Sequence, residues 1–321
     1  MAAPHNLLLC VVDVGLGADD FNDAAHAGRI LIGTPDEQPL RTLASNQCMP
    51  DGVDYSATTG QVFWTSMGTP PELPNGAVFS CDLAGGARRT ILPIGTVHTP
   101  KQLVVDDQNA KLYICDREGL RVLRCNLDGT APEVLIKTGD YNIEEERSDQ
   151  TRWCVGICLS QTTGKMYWTQ KGPSKGNQGR IFRANIDFLP GEDAGNRTDI
   201  ECVLHRLPEP IDLDIDEKSG KLFWADRGEL PLGNSINAVS LDQLVPIEPN
   251  CSTPSWPGRD YELLVRNMHE AIGIKLDMHN KCIYATNLGG SVDRFDLDGR
   301  NKKTMYQNEG TFAGITLIIA R

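Results

Sequence analysis

The 321 residues predict an all-β chain, a six-bladed β-propeller of four-stranded antiparallel blades in which the C-terminal strand completes the N-terminal blade. Three observations predict it: one strand copied five times, short strands punctuated by turn residues, and a sixth copy split between the chain ends. The copies are Gln61-Val-Phe-Trp-Thr-Ser66, Lys111-Leu-Tyr-Ile-Cys-Asp116, Lys165-Met-Tyr-Trp-Thr-Gln170, Lys221-Leu-Phe-Trp-Ala-Asp226 and Lys281-Cys-Ile-Tyr-Ala-Thr-Asn287, recurring at spacings of 50 to 61 residues. Each follows an apolar strand and a polar turn, as in Leu103-Val-Val-Asp-Asp-Gln-Asn-Ala110. Each precedes a third strand such as Arg121-Val-Leu-Arg-Cys-Asn-Leu-Asp-Gly129, whose Asp-Gly favours a hairpin turn. A short fourth strand, for example Glu133-Val-Leu-Ile136, closes the unit, and helical periodicity is almost absent. In the sixth copy, residues 7–13 read as a second strand, 29–33 as a third and 40–43 as a fourth, with no first strand before them. Residues 312–320 carry the missing first-strand pattern, so one domain spanning 1–321 closes on itself.

Charge narrows the partners. Thirty-one basic against 43 acidic side chains leave a net charge of -12, which opposes a broad polyanion-binding surface and makes nucleic acid and anionic membrane unsuitable partners. The longest early apolar run, residues 7–12, is far short of the roughly 20 residues that span a bilayer. No basic residue precedes it and Asp13 follows it, which argues against a secretory signal and for a cytoplasmic protein. The ten cysteines form no CxxC pair and read as free, mostly buried thiols; the spacing of Cys154 and Cys158 is too weak for a metal site. The sequons at Asn196 and Asn250 matter only in a secreted chain.

Phe63-Trp64-Thr65, Tyr167-Trp168-Thr169 and Phe223-Trp224-Ala225-Asp226, together with turns of the Asn126-Leu-Asp-Gly129 type, make the chain resemble the YWTD propellers of the low-density-lipoprotein receptor family. The resemblance covers essentially the whole length and implies the six-bladed fold. Fold alone does not carry function. The chain also resembles stand-alone fungal propellers of secondary metabolism that act as hetero-Diels-Alderases, joining a tropolone quinone methide to a humulene-type terpene. That likeness implies a cofactor-independent pericyclase with small-molecule partners, a polar electrophile and an apolar terpene.

Within the repeats, Trp64, Trp168 and Trp224, with Ile114 and Ala285 in the same place, should fill the gaps between blades. The position ending the motif (Asp13, Ser66, Asp116, Gln170, Asp226 or Asn287) suits hydrogen bonds to backbone. In the innermost strand one face carries Val53, Leu103, Ile157, Leu213, Ile274 and Ile315 and should pack. The other face carries Gly52, Gln102, Gly156, Asp212, Gly273 and Gly314, then Asp54, Val104, Cys158, Asp214, Lys275 and Thr316, and should meet the central channel. Gln102 and Asp212 break a glycine column and need partners. Asp54, Asp212, Asp214 and Lys275 read either as a wet channel with an ion pair or, for the three carboxylates, as oxygen ligands of a hard cation in a metal-dependent lactonase or hydrolase.

Propeller sites gather over one mouth of the channel. The approaches to the first strands bring Met49 to Asp51, His98 to Lys101, Arg152, Trp153, Pro208 to Pro210, His269, Glu270 and Gly310 to Phe312. The loops opposite bring Asp19, Asp20, Met67, Arg117, Lys171, Arg227 and Asn287. For a cycloaddition, Arg152, Lys101, Gln102 and His269 are the candidate donors to the electrophile oxygen, and Glu270 or His269 the candidate proton carrier. Trp153, Phe312 and Met67 are the candidate terpene wall, and Asp51, Arg117, Gln170, Arg227 and Thr311 complete the expected substrate-binding set. The acidic segment 140–149 reads as a solvated loop or a lid. The rival reading is a non-catalytic propeller that binds a peptide or protein at the same mouth. No nucleophile elbow, phosphate-binding glycine loop or HExxH motif is present.

Overall fold

The computed structural model describes residues 6–17, 21–35, 39–70, 73–248 and 251–320. The strands form six four-stranded antiparallel sheets, each the blade of a six-bladed propeller. Blade 1 joins Phe312–Ala320 to Asn6–Asp13, Gly28–Gly33 and Arg41–Gln47. Its ends pair in register, Leu9 with Leu317, Val11 with Ile315 and Asp13 with Phe312, so the expected closure is present. Blades 2 to 6 begin with Pro50–Ser56, Pro100–Asp106, Cys154–Ser160, Pro210–Asp216 and Ala271–Asp277, and these innermost strands contact one another in sequence around the ring. Two short helices, Phe21–Ala27 and Glu144–Arg147, are additions to the repeat. Among the described residues no helix is long and apolar enough to cross a membrane.

The core is the inter-blade packing the repeats implied. Trp64, Trp168 and Trp224 are buried between blades, and Trp168 stacks on Phe182 at 5.5 Å. The cysteines are all unpaired.

The glycines of the innermost strands stand where the blades converge and crowd one another. They lie against the next blade's backbone: a Cβ at Gly156 would sit 1.9 Å from the Ile211 carbonyl oxygen, and one at Gly314 2.5 Å from that of Asp51. The motif threonine completes this contact. In blade 4, Thr169 Oγ1 accepts from Gly156 N–H at 2.8 Å and donates to the Ile211 carbonyl at 2.7 Å, and Thr65 does the same between Gly52 and Lys101. Where Gln102 and Asp212 replace glycine, the motif residue is Cys115 or Ala225 instead of threonine, and the Cys115 thiol still reaches the Gly156 carbonyl of the next blade at 3.3 Å.

Candidate functional site at the channel mouth

One backbone hydrogen bond recurs in all six blades and defines the mouth. The residue after each second strand donates its N–H to the carbonyl of the residue before the first strand: Val14 to Thr311, Met67 to Met49, Arg117 to Thr99, Lys171 to Trp153, Arg227 to Glu209 and Leu288 to Glu270. The six donors are therefore equivalent positions held without help from their side chains. Blades 3, 4 and 5 place Arg117, Lys171 and Arg227 there; blades 6, 1 and 2 place Leu288, Val14 and Met67.

The polar half is a paired network around Trp153. The Arg117 guanidinium lies 4.7 Å from the indole centroid and the Lys171 ammonium 5.5 Å from it. Glu209, which precedes the first strand of blade 5, accepts from Lys171 at 2.7 Å, from Arg227 at 2.6 Å and from Ser174 at 3.2 Å. Arg117 pairs with its neighbour Glu118 at 2.6 Å. At the blade 2 to blade 3 border, Lys101 Nζ meets Asp51 at 2.7 Å and the Met67 sulfur at 3.3 Å, while Gln102 donates to the other Asp51 oxygen at 3.1 Å. Burial pushes the Lys101 and Lys171 ammonium groups below their ordinary range; Asp51 and Glu209 pull back, and the surrounding arginines add to the lowering. Burial works against the Glu209 carboxylate, but Arg227 and Lys171 together hold it below the usual carboxylate range. Four cations thus face three acids, Asp51, Glu118 and Glu209, on a chain whose net charge is -12.

The apolar half joins the innermost strands. Val155, Ile211, Ile272 and Ala313, each one residue into a first strand, belong to one apolar cluster with Val14 and Met67, against which Met49 and Leu288 pack partly exposed. This cluster floors the mouth.

The carboxylates deeper in the first strands are structural ties. Asp54 accepts from Val105 N–H at 2.9 Å and Thr316 Oγ1 at 2.6 Å. Asp212 accepts from Ile274 N–H at 3.1 Å, and Asp214 from Leu276 N–H at 2.8 Å, each reaching the next blade. Lys275 lies 3.8 Å from Asp54, as the ion-pair reading expected. Burial alone would lower Lys275, but Asp54, Asp214 and Asp212 hold it above its ordinary value. Burial raises Asp212 to about 8. With their oxygens given to backbone donors and, in Asp54, to the Thr316 hydroxyl as well, these carboxylates do not compose an oxygen cage, and among the described residues no group of three or more His, Cys, Asp or Glu is set to hold a metal ion.

The structure gathers Asp51, Lys101, Gln102, Met67, Arg117, Trp153 and Arg227 and separates the other candidates. Phe312 is fully buried among core side chains, so it is no terpene wall. Thr311 is tied to Asp13, donating its N–H at 2.9 Å, and supports the closing blade. Gln170 accepts from Arg180 at 2.8 Å, a side-chain partner at a repeat position expected to bond backbone. Arg152 donates to the Thr138 carbonyl at 2.5 Å and pairs with Asp149 at 3.2 Å, so it braces the 138–150 segment instead of facing the network. Trp153 is braced by the same segment, its indole N–H donating to the Arg147 carbonyl at 2.8 Å. His269 and Glu270 are exposed and no contact links their side chains to the network. His98 is buried, with Nδ1 at 2.9 Å from Thr99 Oγ1, and burial lowers its pKa. Asp19 and Asp20 lie outside the described residues.

The chain is 39% identical over 313 residues to low-density lipoprotein receptor-related protein 1 of Pyricularia oryzae, with 97% of each chain covered. It belongs to that protein's family. A second relative, the 3-hydroxyacyl-CoA dehydrogenase-like protein LAM1 of Cochliobolus heterostrophus, is 44% identical over 308 residues; 96% of this chain spans 64% of that relative's length. No family model matches the chain. Among solved structures, a chain of a nidogen/laminin complex superimposes with a TM-score of 0.68 at 17% identity, covering 97% of this chain and 98% of that one. TolB from Acinetobacter baumannii gives 0.64 at 10% identity, covering 97% and 66%. Both likenesses show the fold alone.

Sequence reasoning placed Glu209 at the mouth only within Pro208 to Pro210, without its role in the network, and missed Glu118, Val14 and Leu288. The signal was present in the column directly after each second strand, which reads Val14, Met67, Arg117, Lys171, Arg227, Leu288. Taking Asp19, Asp20 and Asn287 as the loop residues of blades 1 and 6 shifted that column. Asn287 instead donates to Ser291 at 2.5 Å within its own blade.

Proposed function

We propose that this family member is a natural-product enzyme that catalyses a stereoselective hetero-Diels-Alder cycloaddition between a tropolone-type quinone methide and a humulene-type terpene at the channel mouth. One observation carries the reading: equivalent mouth positions are cationic around Trp153 in blades 3 to 5 and aliphatic in blades 6, 1 and 2. A polar, planar electrophile suits the first half and an apolar polyene the second. The electrophile's ring stacks on Trp153 with its oxygen toward Arg117, Lys171 or Lys101, and the alkene rests on Leu288, Met49 and Met67. In the addition the methide carbon forms a C–C bond and the carbonyl oxygen a C–O bond to the two alkene carbons; no atom leaves and no oxidant is needed. Electron density moves onto the electrophile's oxygen as the alkene attacks, and a fixed cation there stabilises the transition state more than the ground state. Holding both reactants in one pose supplies on the order of 7–11 kcal/mol in favourable intramolecular cases.

The test is incubation with a tropolone precursor that releases the quinone methide, together with humulenol, followed by chiral analysis of the adducts. One stereoisomer should predominate and form faster than without protein. Arg117→Gln should slow adduct formation roughly 100-fold, the size found for losing one oxyanion donor. A product mixture and rate equal to the uncatalysed reaction would overturn the reading.

The relative's name, a receptor-related protein, favours a second reading in which the cationic half holds an acidic peptide without catalysis. An inert reaction mixture combined with salt-sensitive binding of an acidic peptide, lost in Arg117→Gln, would select it.

A further inference from the structure

The approach to blade 4 is built differently from the other five. Between the fourth strand of one blade and the first strand of the next, the chain runs through 48–49, 98–99, 208–209, 266–270 and 308–311. Between blades 3 and 4 it runs through 138–153 and includes the helix Glu144–Arg147. That helix has little of its own to hold it. It is far shorter than the roughly 12–15 residues at which an isolated helix becomes stable, its N-cap Ile143 gives no side-chain hydrogen bond, and none of its residues is buried. Its side chains hold it instead. Glu146 accepts from Asp140 N–H at 2.7 Å, and Arg147 Nη1 donates to the Tyr141 carbonyl at 2.8 Å while Nη2 pairs with Glu144.

Arg147 also joins this helix to the polar half of the mouth. Its own carbonyl accepts the Trp153 indole N–H at 2.8 Å. On the other side, the Tyr141 ring meets the His98 ring edge-on at 5.9 Å. The segment thus rests on the entry to blade 3 at His98 and on the entry to blade 4 at Trp153. Arg117 joins the same two entries, through its N–H to Thr99 and its guanidinium over the indole. The contacts on Trp153 do different work. A cation is drawn to a ring face from a broad range of directions, so Arg117 and Lys171 leave the ring room to slide and turn. The bond from N–H to carbonyl weakens steeply as its angle closes, so this bond sets the ring's orientation.

We propose that Arg147 is a positioning residue of the mouth: by tying the helix to Tyr141 it holds its own carbonyl at the Trp153 indole and fixes the plane on which the electrophile lies. That plane decides which face of the electrophile meets the alkene, so Arg147 governs the stereochemical outcome through Trp153 without touching either reactant. The stereochemical part rests on the cycloaddition reading of the mouth; the hold on Trp153 does not.

Acrylamide quenching of the Trp153 emission, taken as the difference between proteins with and without Trp153→Phe, reads the hold, and chiral analysis of the adduct reads the outcome. Arg147→Ala should raise the population of displaced rings roughly two- to tenfold, the worth of one hydrogen bond, and the quenching with it. The ratio of stereoisomers should fall, while total adduct formation changes less because Arg117 and Lys171 stay in place. Arg147→Lys keeps a donor for the Tyr141 carbonyl and should restore most of both. Glu145→Ala, at an exposed position of the same helix, should change neither. Unchanged quenching in Arg147→Ala, an unchanged stereoisomer ratio where quenching has risen, or an equal effect from Glu145→Ala would overturn the proposal. If the unaltered protein itself yields no selective adduct, the cycloaddition reading has failed, and the quenching alone decides whether Arg147 holds the ring. Where Arg147→Ala fails to fold, Trp153→Phe keeps an aromatic face and loses the N–H; an unchanged stereoisomer ratio there overturns the proposal equally.

Discussion

The two halves of the mouth share one backbone hydrogen bond and differ in everything the side chains do. Arg117, Lys171 and Arg227 are held by the same N–H to carbonyl contact that holds Leu288, Val14 and Met67. The blade therefore needs nothing from the side chain at this position, and a charge there is not forced by the fold. It is also costly. Lys171 and Glu209 are almost wholly buried, and an ion pair in such a place is commonly no more stable than well-packed apolar residues. An arrangement that adds little stability, recurs in three successive blades and encloses an aromatic ring is best explained by what it binds.

The largest expected effect tests whether the polar half is one paired network. Glu209→Ala leaves Lys171 and Arg227 without their shared carboxylate, and breaking a buried pair in this way costs about 3–5 kcal/mol. Denaturant unfolding should show a loss of that order. A change below about 1 kcal/mol would mean that the cations are solvated and that the two halves differ less than their contacts imply.

A smaller effect concerns the deeper polar position of blade 5. Asp212, raised to about 8 by burial, ordinarily titrates near 3.9 in an unfolded chain. The folded state therefore holds the proton more tightly, so the contribution to stability is fully present below about pH 4 and is lost as pH rises through about 8. Asp212→Asn removes the titration. The melting temperature of the unaltered protein should fall relative to that of the variant between pH 5 and pH 8; a constant difference would show that the N–H groups of Ile274 and Leu213 hold the carboxylate charged throughout.

The fold was legible because blades are copies. The recurring aromatic strand and the split sixth unit fixed strand number, order and closure, and periodicity separated Trp64, Trp168 and Trp224 from surface residues. The mouth was less legible because function resides where copies differ, and a one-residue error in aligning the weakest copies changes which residue is compared. Blades 1 and 6 lack the tryptophan motif, so Val14 and Leu288 were passed over for Asp19, Asp20 and Asn287. Phe312 was misjudged for the same reason: its pairing partner is Asp13, which makes it the opening residue of an inner strand and thus core. The ion pairs of Glu209 and Asp51 join residues 38 and 50 positions apart, a proximity only the closed ring creates.

The smallest expected effect on stability, at Leu288, belongs to the sharpest test of the division. Arg117→Ala and Leu288→Ala change partly exposed side chains at equivalent positions, and neither removes the backbone contact that holds its blade. Leu288→Ala should alter unfolding free energy by about 1 kcal/mol or less, and Arg117→Ala by more than that but less than Glu209→Ala, because it strands one buried carboxylate, Glu118, instead of two cations. Their effects on the adduct should separate. Arg117→Ala removes the cation beside Trp153, so the rate should fall with every terpene offered, since each reaction places charge on the same oxygen. Leu288→Ala enlarges the aliphatic half and leaves the cations in place, so discrimination among terpenes of different size should relax while the rate with the preferred terpene falls only a fewfold. Competition between two terpenes reads this directly. If Arg117→Ala changes the terpene preference and Leu288→Ala does not, the assignment of reactants to halves is reversed; if both act alike on rate and preference, the mouth is a single surface and its charge pattern does not position the reactants.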